Sequence, residues 1–136
     1  MRLSILATFV FVSSAQANSI TLTPDTDLDW QTTPEGVAFA PLHGDRFAES
    51  YIAMVRLPSG TISPPHIKTA DMMGLMVSGQ MTHHPHPSGT HATIIGPGAY
   101  YHIPAGLAHV SSCVSDTPCV TLLYQNGAFD FNPVTQ

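Results

Sequence analysis

Apolar residues in this 136-residue chain fall into short runs, at 36–40, 51–57, 74–78, 92–95, 99–103, 108–113 and 119–124. The segments between them are rich in Gly, Pro, Ser and Thr. Short apolar runs bounded by turn residues predict β-strands, and their regular recurrence predicts an all-β sandwich or barrel. Helical spacing is confined to residues 45–51, enough for a turn or two. Twelve prolines and ten glycines leave no room for a long helix. Residues 19–33, with Asp25, Asp27 and Asp29, read as a lead-in arm that covers a sheet edge.

The most tightly specified stretch is 98–113, which reads G-x5-P-x-G-x2-H-x3-C. Pro104 cannot donate to a strand ladder and Gly106 can take a positive φ, so the pair predicts a strand–turn–strand corner. The corner delivers His109 to the start of the next strand, with Ser111 and Cys113 on the same face. Earlier in the chain Gly60, His66, Lys68, Met72 and Gly79 form G-x5-H-x-K-x3-M-x6-G. Together these stretches resemble the two motifs of the cupin superfamily, G-x5-H-x-H-x3,4-E-x6-G and G-x5-P-x-G-x2-H-x3-N. The second matches at every position but the last, where Cys113 replaces Asn. The first matches in spacing but carries Lys68 for the second His and Met72 for the Glu. The resemblance covers residues 56–124 and implies a single-domain cupin-like double-stranded β-helix, a jelly-roll barrel with the pocket inside.

Metal-binding cupins hold a divalent ion with three imidazoles and a carboxylate, and the resemblance carries only His66 and His109 over directly. Met72, a soft thioether at the carboxylate position, would suit monovalent copper alongside them. The simpler reading takes Met54, Met72, Met73, Met76 and Met81 as flexible core filling. Lys68 shares the strand parity of His66. Inside the pocket its ammonium would repel a dication, hold an anionic ligand or, once desolvated, act as a base or Schiff-base amine. The plainer reading takes Lys68 out of the barrel mouth to pair with Asp71. Either Tyr101 and Ile103 or Tyr100 and His102 face inward. The resemblance favours the first pair, making Tyr101 a candidate proton carrier, against a plain aromatic core residue. His83, His84, His86 and His91 lie in a turn-rich stretch expected at the opposite end of the barrel, either a second site for zinc, nickel or copper or an exposed hairpin tip. His83 alone, if its strand runs inward, is a replacement barrel ligand. His43 reads as a surface residue.

Composition narrows the classes of function. The formal net charge is −5, with four Lys and Arg against nine Asp and Glu, which argues against nucleic acid and anionic lipid as partners. Residues 1–17 resemble a secretory signal: Arg2, an apolar segment at 3–12 too short to span a bilayer, and Ala15-Gln16-Ala17 for cleavage. The alternative is a short helix kept in the fold. Export to the periplasm or medium favours a disulfide between Cys113 and Cys119, which flank the turn at 114–118. A thiolate metal ligand at Cys113 is the other option. The expected organisation is a signal peptide at 1–17, an arm and first strands at 18–50, and a barrel core at 51–136 in which Phe129 and Phe131 latch one end. No G-x-S-x-G elbow, phosphate loop or H-E-x-x-H is present. The expected function is a metal-assisted enzyme acting on a small organic molecule, using one divalent or copper ion, with oxygenase, isomerase or lyase chemistry implied by the resemblance. A non-catalytic ligand-binding or sensing domain, and a periplasmic metal-binding protein using residues 83–91, are the alternatives. The resemblance also implies a homodimer.

Overall fold

The computed structural model describes residues 19–88 and 92–135, so the expected signal segment and His91 lie outside it. Its strands are β1 (Gln31–Thr32), β2 (Ala38–His43), β3 (Tyr51–Leu57), β4 (His66–Ile67), β5 (Met72–Ser78), β6 (Met81–Pro85), β7 (Tyr100–Ile103), β8 (His109–Cys113), β9 (Cys119–Gln125) and β10 (Asn132–Pro133). Among the described residues the one helical element is a 3-10 turn at Asp25–Asp27. The strands form two antiparallel sheets, ordered β1-β2-β3-β9-β5-β7 and β10-β4-β8-β6. The fold is the jelly roll expected from the sequence.

Alternation decides what each sheet turns inward. Tyr51, Ala53 and Val55 of β3 are buried, as are Thr121, Leu123 and Gln125 of β9. Their neighbours across the sheet extend the inner face: Gly74 lies opposite Leu123, and Tyr101 opposite Gly74. A Cβ at position 74 would stand 2.2 Å from Cζ of Tyr101, so only glycine lets that ring lie flat across β5. The lead-in arm pairs with the sheet edge as β1, through Gln31 with Phe39 and Thr32 with Ala38. Residues 45–51 make a turn before β3, closed by Ala48 N and Glu49 N donating to Asp45 O.

Two segments depart from the sequence reading. The run at 92–95 contributes a single bridge, Ile95 with Met81. Pro97 and Gly98 follow at once and turn the chain away. The histidine-rich stretch, expected as a loop, begins as β6, which pairs residue by residue with β8 from Met81–Cys113 to Pro85–His109. Turn residues there misled, because Pro85 sits at the last position of a strand at the sheet's edge, where a missing N–H is tolerated.

Cys113 and Cys119 are joined by a disulfide. It ties the end of β8, in one sheet, to the start of β9, in the other. A Cβ on Gly79 would meet Cys119 Sγ at 2.9 Å, so the turn before β6 packs directly on the bridge.

Candidate functional site

The site grows from one register. His66 and His109 are direct cross-strand partners on β4 and β8, so both imidazoles stand on the same face. Their ring centroids are 4.2 Å apart. Each ring is held by its own backbone: His66 Nδ1 donates to Pro64 O and His109 Nδ1 to Leu107 O, both at 2.9 Å. A carbonyl only accepts, so Nδ1 carries the proton and Nε2 presents a lone pair on both rings. Phe131 stacks on His66 at 4.1 Å.

His83 joins them. It lies opposite Ser111 on β6, with Nδ1 2.8 Å from Ser111 Oγ and its ring 4.3 Å from that of Tyr101. The Nε2 atoms of His83 and His109 are buried without a hydrogen-bond partner among the described residues. Burial lowers the pKa of His66 to about 4, and the neighbouring His109 and Lys68 reinforce it against the Pro64 carbonyl. Burial, then His109 and His66, does the same to His83, also to about 4. His109 is lowered too, by burial with Lys68 adding, although the Leu107 carbonyl opposes. All three are neutral near pH 7.

Lys68 is inside the barrel and only 4% exposed. Its Nζ donates to the backbone carbonyl of Asp130 and lies 4.0 Å from the Phe129 ring centroid. Burial lowers its pKa to about 8, while the Asp130 carboxylate opposes the shift. The expected pairing with Asp71 gives way because the backbone is pinned at Lys68 itself and at Thr69. Thr69 N donates to Asp130 Oδ2 at 2.9 Å, and Gly106 N donates to Lys68 O at 2.8 Å. Asp71 instead accepts from Ala105 N at 2.8 Å and stands 3.8 Å from His102 Nε2.

Tyr101 and Ile103 are the inward pair of β7. The Tyr101 hydroxyl lies 3.1 Å from Thr121 Oγ1, and burial pushes its pKa up to about 12. It is therefore a held phenol, not a base. Met72 is buried and lines the cavity beside Met81. His84 and His86 do not join the barrel imidazoles: His84 Nδ1 lies 3.2 Å from Pro85 O, and His86 is fixed through its backbone N–H to Ala108 O. His43 is exposed at the end of β2.

His66, Lys68, Met72, His83 and Tyr101 line one cavity of about 650 Å³, walled by apolar side chains from both sheets and by the chain's tail at Phe129 and Phe131. The stretch from His83 was expected at the opposite end of the barrel. Its first histidine instead shares the cavity with His66, because β6 pairs alongside β8 and alternation turns His83 inward. Sequence reasoning missed Asp130 and Gln125 altogether. Gln125 is fully buried and donates to Ala128 O at 2.7 Å, shaping the turn that returns the tail to the cavity. An unpaired polar residue at an inward strand parity was the one available signal for it.

Neutral imidazoles with free Nε2 atoms suit a borderline or soft metal ion. Their arrangement does not complete a site: among the described residues no three His, Cys, Asp or Glu side chains come together to hold an ion. Lys68 places an ammonium where the second motif histidine would stand.

A family profile described as "ChrR Cupin-like domain" matches residues 18–130. No curated protein sequence matches the chain significantly. Among solved structures, the polyketide cyclase RemF from Streptomyces resistomycificus is 17% identical, with 87% of each chain covered and a TM-score of 0.69. KdgF from Halomonas sp. is also 17% identical, covering 78% of this chain and 94% of its own, with a TM-score of 0.62. An RmlC-like cupin from Shewanella frigidimarina is 12% identical over 82% of this chain and 95% of its own, with a TM-score of 0.64. At these identities the likeness carries the fold alone. With the profile spanning most of the chain and the jelly roll matched by these structures, this chain belongs to the ChrR cupin-like domain family.

Proposed function

We propose that this chain is an exported cupin that binds a small organic molecule in the cavity between its sheets. The observation that carries this reading is the state of the polar groups lining an apolar cavity of about 650 Å³, a size that suits such ligands. Tyr101 is held by Thr121 and Lys68 by Asp130 and the tail phenylalanines, so both candidate proton carriers are engaged in structure. The imidazoles stay neutral and offer lone pairs. Such a surface recognises a ligand more readily than it moves protons. Export rests on residues 1–17, and the Cys113–Cys119 disulfide accords with an oxidising compartment. A homodimer belongs to the same proposal, supported by Leu75, Val77, Tyr100 and Tyr124, which leave apolar area exposed on the outer face of the six-stranded sheet.

A second reading, a metal-assisted enzyme, draws on the buried, unpartnered Nε2 atoms of His83 and His109. A bound ion would satisfy them and act as a Lewis acid, and His66, His83 and His109 would have to hold it. Metal analysis of the purified mature protein and of His66→Ala separates the two. The binding reading expects substoichiometric metal in both. A stoichiometric metal lost with His66→Ala establishes the enzyme reading instead, and one lost only with His84→Ala moves the function to the histidine-rich segment.

A further inference from the structure

The cavity offers one cationic donor and one accessible neutral acceptor side by side. Lys68 carries three N–H bonds. One goes to the Asp130 carbonyl, and the ammonium lies over Phe129, which leaves donors for a molecule in the cavity that Lys68 lines. Two residues before it, His66 has its proton fixed on Nδ1 by Pro64 O, so Nε2 accepts, and it has no hydrogen-bond partner among the described residues. Behind it His109, only 1% exposed and with its proton likewise on Nδ1, keeps an Nε2 acceptor that has no partner among the described residues. The nearby carboxylates do not reverse the sign at Lys68. Asp130 is tied to Thr69 N and Asn132 Nδ2, and Glu35 lines the cavity from an exposed position.

We infer that the ligand is a small hydroxy acid, its carboxylate taken by the Lys68 ammonium and its hydroxyl donating to His66 Nε2. This rests on the small-molecule reading above and narrows it to one chemical class. The carboxylate accepts the N–H bonds that Lys68 leaves free, and the hydroxyl supplies the proton that His66 Nε2 lacks. The ring walls of Phe39, Phe129 and Phe131 suit a hydroxy acid with an apolar or aromatic body.

The test is calorimetric titration of the mature protein with three matched probes: mandelate, mandelamide and phenylacetate. Mandelate is expected to bind at least tenfold more tightly than mandelamide, which lacks the charge, and than phenylacetate, which lacks the hydroxyl. Lys68→Met is expected to erase the preference for acid over amide. His66→Phe, which keeps a stacking partner for Phe131, is expected to erase the preference for mandelate over phenylacetate. If Lys68→Met fails to fold, the His66→Phe comparison and the wild-type ranking still decide. Mandelamide binding as tightly as mandelate overturns the hydroxy-acid assignment and leaves the small-molecule pocket standing. Failure of all three to bind likewise overturns the hydroxy-acid assignment, while the small-molecule reading is decided by the metal analysis above.

Discussion

One methyl group at Gly74 tests how closely the interior is fitted. Its Cβ would fall 2.2 Å from Cζ of Tyr101, inside any real contact distance, and the ring is locked by its bond to Thr121. Gly74→Ala is expected to cost about 2 kcal/mol in urea denaturation, and Tyr101→Leu in the same chain should recover part of it. At the same scale, the buried imidazoles set an acid limit. With folded-state pKa values of about 4 at His66 and His83, against an ordinary 6.5, the unfolded chain binds more protons between those values. Stability is therefore independent of these groups above pH 6.5. It should fall as pH drops toward 4, by on the order of 1 kcal/mol per unit for each ring. Denaturation midpoints of chelator-treated protein from pH 7 to 4 measure this, and a flat profile would show that the rings are not buried neutral. The inward parity of Lys68 was readable from its two-residue offset to His66. Its partner was not, because the Asp130 carbonyl that takes it lies 62 residues later and belongs to a backbone atom that no side-chain pattern announces.

Among the elements, β3, β5, β7, β8 and β9 were legible because their apolar runs are cut sharply by glycine and proline. β6 was not: Pro85 and Pro87 gave strong turn signals, and pairing with β8 outweighed them. That one element decides His83: the inward-strand alternative for His83 alone is the one the structure takes, while the stretch as a whole reads in the sequence as a turn-rich segment at the far end. The short partners β1, β4 and β10 have two residues each, too few to show any periodicity. The disulfide acts at this level by fastening the end of β8 to the start of β9 across the two sheets. Reducing it is expected to lower stability by about 2 kcal/mol. Denaturant midpoints with and without dithiothreitol measure the change, and equal midpoints would mean the bridge merely decorates a turn that is already rigid.

For the whole molecule, the outer surface of the six-stranded sheet stands apart. Met73, Leu75 and Val77 of β5 alternate with inward residues, yet β5 reads as a nearly continuous apolar run, as β9 does, the pattern of a sheet covered on both faces. Leu75 pairs with Leu122 on one side and Tyr100 on the other, giving an uncharged row across the middle of the sheet. Two copies joined there meet without like-charge conflict. Light scattering is expected to give twice the mass of one chain, and Leu75→Glu with Tyr100→Glu to halve it while the circular dichroism stays that of a β-protein. A wild-type monomer would remove the dimer from the proposal.

The tail that returns over the cavity divides its two grips unequally. Phe131 meets His66 through a side chain, so replacement at that position changes the wall of the cavity. Asp130 meets Lys68 through its peptide carbonyl, which every amino acid possesses. The hydrogen bond that anchors Lys68 is therefore independent of which side chain stands at position 130, whereas the hold on Thr69 is not, and variation at position 131 can reshape what the cavity accepts while that bond stays in place.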